Sequence, residues 1–226
     1  MATTGNSADF GNLSASRHSI GGVASTTRGV FAGGRAGASP NPLVNIMEYI
    51  TIASVGNTTD FGDLSQTRAQ VAPSSSLTRG VFAGGTAPNT STPLNTIDYI
   101  TIASTGNATD FGDLTESRYG IMDSVVSNQT TGLFGAGRAP SNSNVIDKIT
   151  IASTANATDY GDLTQARGAQ TRGNTSNNTR GIMYGGRTPT IVNTIDSNEF
   201  ATTGNFTDFG DTFEGTTSGG AGAGNE

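Results

Sequence analysis

The chain has 226 residues, of which 33% are hydrophobic and 13% charged, with a net charge of −6, 32 glycines and no cysteine. These figures exclude a disulfide framework, a thiolate nucleophile and a sulfur-ligated metal; with Lys148 the single lysine and no basic stripe, they also argue against a nucleic-acid partner. No apolar run approaches the ~20 residues a membrane helix needs, and the opening Met1-Ala2-Thr3-Thr4-Gly5-Asn6 lacks the basic-then-apolar pattern of a secretory signal, so neither membrane insertion nor a signal peptide is expected.

In chain order the first element is a phrase, residues 2–17, that returns four times. Its central form is Ala103-Ser104-Thr105-Gly106-Asn107-Ala108-Thr109-Asp110-Phe111-Gly112-Asp113-Leu114-Thr115-Glu116-Ser117-Arg118. Near copies stand at 53–68 and 152–167, and a looser one at 201–215. The aromatic falls at Phe10, Phe61, Phe111, Tyr160 and Phe209, in steps of 51, 50, 49 and 49 residues. A constant step of this size predicts one supersecondary unit copied along the chain, each copy burying its apolar surface against its neighbours.

After the first phrase come a weak strand signal at 19–24, a glycine-ended strand at 29–34 and an Ile-rich strand at 45–52. The weak strand returns near 69–72, 119–126 and 168–174. The glycine strand returns at 80–85, 132–137 and 181–186, and the Ile-rich strand at 95–102, 144–151 and 193–200. In the last of these types Ile100 and Ile102 point one way and Ile97 and Tyr99 the other, the pattern of a sheet packed between two others. The Thr-Asp-Phe-Gly-Asp-Leu segment is the third clear strand signal of each unit, its aromatic and leucine being anchors set in a turn-rich loop. No stretch shows apolar spacing at 3.6 residues, so no helix is predicted.

The expected architecture is therefore all-β, an array over 1–215 with units near 17–66, 68–116, 118–165 and 167–214, preceded by a partial copy at 2–16. The remainder, 216–226, reads as a flexible glycine-rich tail. One count does not close: there are four glycine strands and four Ile-rich strands but five Asp-Phe-Gly segments. Either a closed four-unit ring carries a spare terminal arm, or an open array is completed by oligomerisation.

Several constellations recur with the repeat. Arg17, Arg68, Arg118 and Arg167 share one position, and Glu48, Asp98, Asp147 and Asp196 another. Arginine and carboxylate at fixed places can form bidentate framework pairs, or the arginines can converge on an anion; the framework pairing is favoured. The aspartates Asp60, Asp63, Asp110, Asp113, Asp159 and Asp162 are calcium candidates by donor type, although one loop falls short of the six to eight oxygens the ion takes; turn capping produces the same pattern. His18 is the single histidine and has no repeated partner. The segments 35–44, 86–94, 138–143 and 187–192 diverge while the framework is copied, and hold six of the seven prolines. Such loops commonly carry binding, which marks Arg35, Arg138 and Arg187 as ligand-loop candidates; relaxed constraint on exposed loops produces the same divergence. No set of acid, base and nucleophile stands apart from the repeat, so an enzyme is not expected and no cofactor is called for.

Four strands in about 50 residues, repeated, is the size of a β-propeller blade. The series Gly84-Gly85, Tyr99, Phe111 and Arg118 resembles the kelch class, whose blades carry a glycine doublet, a tyrosine, an aromatic and an arginine in that order. Phenylalanine or tyrosine stands where kelch repeats usually have tryptophan, and Lys148 replaces the tyrosine in the third unit. The wording from Asn95 to Leu114 also resembles repeats of virion and tail-associated proteins of marine tailed phages, cyanophages among them. The resemblance implies a non-enzymatic structural component of a phage virion, located in the extracellular particle as a tail, fibre or capsid-surface appendage. It implies other virion subunits as partners, homo-oligomerisation, and contact with host-surface glycan during attachment. The alternatives are a carbohydrate-binding lectin and a kelch-type protein-interaction scaffold.

Overall fold

Short runs of Val, Ile, Thr and aromatic residues broken by glycine favour strands over helices, and the described residues are strands, turns and loops with no helix. The computed structural model describes residues 6–37, 41–87, 92–122, 124–168 and 174–213; the glycine-rich tail at 216–226 lies outside them.

The chain builds four antiparallel sheets in succession, each a simple meander. The first contains Gly21–Ala24, Arg28–Ala32, Ile46–Thr51 and Thr59–Asp63, and the second Ala72–Ser75, Arg79–Ala83, Leu94–Thr101 and Thr109–Arg118. Sheet three contains Val125–Ser127, Thr131–Gly135, Ser141–Thr150 and Thr158–Arg167. Sheet four is formed by Asn174–Ser176, Arg180–Tyr184, Thr194–Glu199 and Thr207–Asp211. The protein is thus an all-β domain of repeated antiparallel units. A small extra pair, Arg17–His18 with Arg35–Ala36, ties the N-terminal segment to the first sheet.

The Asp-Phe-Gly segment, expected as a strand signal set in a turn-rich loop, is a paired strand, extending ten residues from Thr109 to Arg118 in the second unit. Each copy from the second onward pairs with the Ile-rich strand through the same irregularity: Asp110 faces Asp98, then Gly112 faces Ile97, leaving Phe111 as the extra residue. Such a bulge re-aims a side chain. It turns Phe111 toward Tyr99, with ring centroids 6.0 Å apart in an edge-on arrangement, as Phe61 turns toward Tyr49 at 6.0 Å.

The sheets stack face to face around three cores. The first core joins Val23, Val30, Met47, Phe61 and Leu64 of sheet one to Phe82, Ile100 and Ile102 of sheet two. The second joins Val81, Ile97, Phe111 and Leu114 to Phe134, Ile149 and Ile151. The third joins Leu133, Ile146, Tyr160 and Leu163 to Met183, Phe200 and Phe206. Ile97 and Ile100 therefore serve different cores, as their alternation dictates. Each fully buried side chain of this size contributes roughly 1.5–3 kcal/mol by leaving water.

Phe10 and Phe209 depart from the expected aromatic core. Phe61, Phe111 and Tyr160 are at most 3% exposed, whereas Phe10 is 36% and Phe209 55% exposed. The reason is position: Phe10 has no sheet of its own behind it, and Phe209 has no sheet in front of it.

Candidate functional site

What the repeat copies most faithfully is the junction between one unit and the next; two of its parts recur at every junction and a third at the first two, Thr131 standing at the arginine's place in sheet three.

The first part is an arginine anchor. Arg68 ends one phrase but inserts into the following sheet, donating to the carbonyls of Gly84, Thr96 and Phe82 and to the Asp98 carboxylate at 2.7 Å. Arg118 does the same with Ala136, Val145, Phe134 and Asp147. Arg167 donates to Gly185, Thr194 and Asp196, and Arg17 to Gly33, Ile46 and Glu48. The Arg68, Arg118 and Arg167 side chains and their carboxylates are wholly buried. Burial draws Arg68 and Arg167 below the ordinary arginine value, and the attraction of Asp98 and Asp196 opposes that fall. These guanidiniums meet carboxylates and carbonyls one by one rather than converging on a shared anion.

The second part is a main-chain interlock. The carbonyls of Phe61 and Asp63 accept from the amides of Gly106 and Ala108 in the next unit's loop, and the Asp63 amide donates to the Asn107 side chain at 3.0 Å. The pattern returns as Asp113 with Asn156 and Ala157, and as Asp162 with Asn205 and Phe206. The contact is so close that a Cβ on Gly112 would come within 2.6 Å of the Ala155 backbone, and one on Gly161 within 2.5 Å of Gly204. Only glycine fits there, at φ of +138° and +141°. Asn107, Asn156 and Asn205 thus hold neighbouring units together, and Asn57 holds the N-terminal arm. Their identical place in every phrase was the available signal, although as Asn-x-Thr triplets they suggest composition or glycosylation instead.

The third part is a reaching arginine. Arg28 lies 4.2 Å over the Tyr49 ring and donates forward to the Ile102 carbonyl. Arg79 lies 4.4 Å over Tyr99 and donates to Ile151. Cation–π contact holds the guanidinium over its own sheet while its N–H groups grip the next.

The two ends of the array expose the halves of a junction. At the N-terminal end Asp9–Asn12 sits on the loop of sheet one as a preceding unit's fourth strand would. The Phe10 and Asn12 carbonyls accept from Gly56 and Thr58, and the Asn12 amide donates to Asn57 at 2.9 Å. This resolves the surplus copy: four loops receive the copies containing Phe10, Phe61, Phe111 and Tyr160, and the copy containing Phe209 is left over. Behind the arm an apolar cavity of about 270 Å³ opens among Phe10, Leu13, Ile20, Phe31 and Ile50. Phe31 and Ile50 are half-buried and Ile52 is 44% exposed, while their counterparts Phe82, Ile100 and Ile102 are buried. At the C-terminal end Ile182 and Ile195 are half-buried where Val81 and Ile97 are buried. A Cβ on Gly210 would meet nothing within 4 Å.

The calcium candidates do not assemble. The Asp60, Asp110 and Asp159 carboxylates each accept from the glycine amide two residues on, capping a turn. Asp63, Asp113 and Asp162 lie in the interlock, and among the described residues no group of three His, Asp or Glu side chains is placed to hold a metal. Arg35, Arg138 and Arg187 occupy one equivalent place after the glycine doublets. Arg35 pairs with His18 and Leu43, Arg138 with Tyr119, and Arg187 with Gly168 and Ile191. Arg138 and Arg187 are exposed. His18 is exposed and lies 3.0 Å from the Ser19 hydroxyl.

No protein-family model matches the sequence, and no curated protein matches it.

Proposed function

We propose that the chain is a non-enzymatic structural component of a phage virion, a repeat scaffold in a tail, fibre or capsid-surface appendage. The observation that carries the structural role is the use of the repeated charges. The arginines and carboxylates copied in every unit are consumed in pairs inside the framework, so what has been multiplied is an interface. The virion setting rests on the resemblance of the wording from Asn95 to Leu114 to phage virion repeats.

The four sheets are blades of a kelch-like propeller arc with their short first strands innermost, since those strands touch one another from unit to unit. The test of function is location. Particles are purified by density gradient from a lysate of the cells producing this chain and probed with antibody. Banding of the chain with the particles supports the role; recovery only in the soluble fraction overturns it.

A second reading, a lectin, has one specific observation in its favour. Arg138 and Arg187 are exposed at equivalent places beside divergent loops in two of the four units, and loops on a rigid scaffold commonly carry binding. Binding on a glycan array that is lost in Arg138→Ala with Arg187→Ala supports it.

A further inference from the structure

The C-terminal end of the array is one half of a junction whose other half is the N-terminal end, and the geometry points to a second copy of this chain as its occupant. We infer that copies associate head to tail, sheet four of one against sheet one of the next, with the partner's Asp208–Asp211 segment displacing the N-terminal Asp9–Asn12 arm.

Three independent features agree on what belongs at the open end. Phe209 and Asp211 present the groups by which earlier copies bond a following loop: the carbonyl at the aromatic, bonded in Phe61 and Tyr160, and the carbonyl and amide at the aspartate, bonded in Asp63, Asp113 and Asp162. Arg180 stands where Arg28 and Arg79 stand, 6.0 Å over the Phe209 ring. Its guanidinium is exposed, 3.4 Å from Glu199, whereas its counterparts reach the carbonyls of Ile102 and Ile151 in the next sheet. The residue equivalent to Ile102 and Ile151 with no sheet before it is Ile52. The half-buried face of Ile182 and Ile195 is the kind that elsewhere packs on Phe82 or Phe134, and the uncovered residue of that type is Phe31. Among the described residues donor strand, reaching arginine and apolar face thus all lack a following unit at one end, and all three receptors stand open or arm-covered at the other.

The arm sets the condition for association. Asp208–Asp211 is paired to Thr194–Ser197 of its own sheet. A sheet four docked as the internal sheets dock therefore brings this strand onto the 53–58 loop, where Asp9–Asn12 already sits. The two cannot share it. The arm makes the same main-chain bonds as a true fourth strand but has no sheet behind it, so Phe10 is part-exposed and the cavity beside it unfilled. A partner fills that space with Ile182 and Ile195. Arg17 remains in place, since in sequence Thr216 stands where the other phrases have arginine. An interface of this kind is heterologous: it closes into a ring if the rotation per copy permits and otherwise extends as a fibre. The inference does not depend on the virion setting.

The experiment uses the absence of native cysteine. Asn57→Cys and Asp211→Cys are introduced together, each position lying on one half of the interlock, and the full chain is oxidised at rising concentration. A ladder of dimers and higher species supports the inference. Monomer alone, whether unlinked or shifted by an internal link that closes one chain on itself, overturns it. In parallel the mass of the unoxidised chain is followed by sedimentation. Gly11→Ala, whose Cβ would overlap the Gly56 carbonyl, should loosen the arm and lower the midpoint of association about tenfold or more, because the competent state becomes better populated. Phe209→Asp should abolish association in both backgrounds while leaving the circular dichroism spectrum unchanged. An oligomer indifferent to Phe209→Asp overturns the inference. Location of the chain outside particles would overturn the virion role and leave this result standing.

Discussion

Arg118 and Asp147 meet across the boundary between two sheets: the arginine closes the last strand of the second sheet, and the aspartate lies in the third strand of the third sheet. Both are wholly buried, so the pair fixes how one sheet is delivered to the next. Removing one member leaves the other charged and unsolvated. Arg118→Ala should cost about 3–5 kcal/mol, whereas Arg118→Met with Asp147→Leu should recover much of the loss, because a matched apolar pair leaves no stranded charge. Urea denaturation of the single and double variants checks the ordering.

Phe111 and Phe209 occupy one repeat position in opposite surroundings. Phe111→Ala should cost about 3–5 kcal/mol and Phe209→Ala less than about 1 kcal/mol in dilute solution, since only the first leaves a cavity in a closed core. Thermal denaturation at concentrations too low for association measures the difference. Equal losses would contradict the burial described.

Gly112 and Gly210 provide the same contrast for the backbone. Their φ angles are +138° and +139°, so alanine brings similar conformational strain to each, of order 1–3 kcal/mol. Gly112→Ala in addition drives a methyl group into the Ala155 backbone and should be clearly the more damaging. Side-by-side denaturant midpoints test this.

Glu48 gives the N-terminal arm a pH dependence. Burial by itself would raise this carboxyl, but hydrogen bonds from Ser14, the charge of Arg17 and the Thr58 hydroxyl outweigh it and hold Glu48 below its ordinary value. A depressed folded pKa means stability that is present above the unfolded value of about 4.3 and is lost as pH falls through the folded one. Protection of the Asn12 and Thr58 amides from hydrogen exchange, corrected for intrinsic rate, should therefore decline below about pH 4. Glu48→Gln should remove that acid dependence.

The strands, their two-faced packing and the arginine–carboxylate pairs were legible because each rests on something a step of 49 to 51 residues preserves. Ile97 and Ile100 alternate, and alternation alone assigns them to opposite faces. The Asp-Phe-Gly segment was legible as a strand but not in its setting, because Gly112 and its flanking aspartates are turn chemistry; the sequence does not reveal that the glycine is required by Ala155, in the neighbouring unit. The surplus copy was countable but not assignable. Phe10 and Phe209 differ little in local wording, and which of them is docked depends on which end of the array has a loop to receive it. The calcium candidates do not converge for a related reason, since Asp60, Asp110 and Asp159 each accept from the glycine amide two residues on rather than turning with other carboxylates toward a common centre.

The interlock of Asp63 with Asn107 has a consequence for how such a chain can grow. Every internal junction is made of the same two halves, one from each neighbour. Duplicating any stretch one period long, wherever it begins, supplies one new half of each kind, and they match both each other and the flanking units. Copy number can thus change by recombination without an unmatched boundary ever having to be repaired by later substitution. Changes of length within 86–94 or 138–143 leave that matching untouched, because neither segment supplies the interlock. The chain can vary in reach and in loop content independently, from one inherited rule of contact.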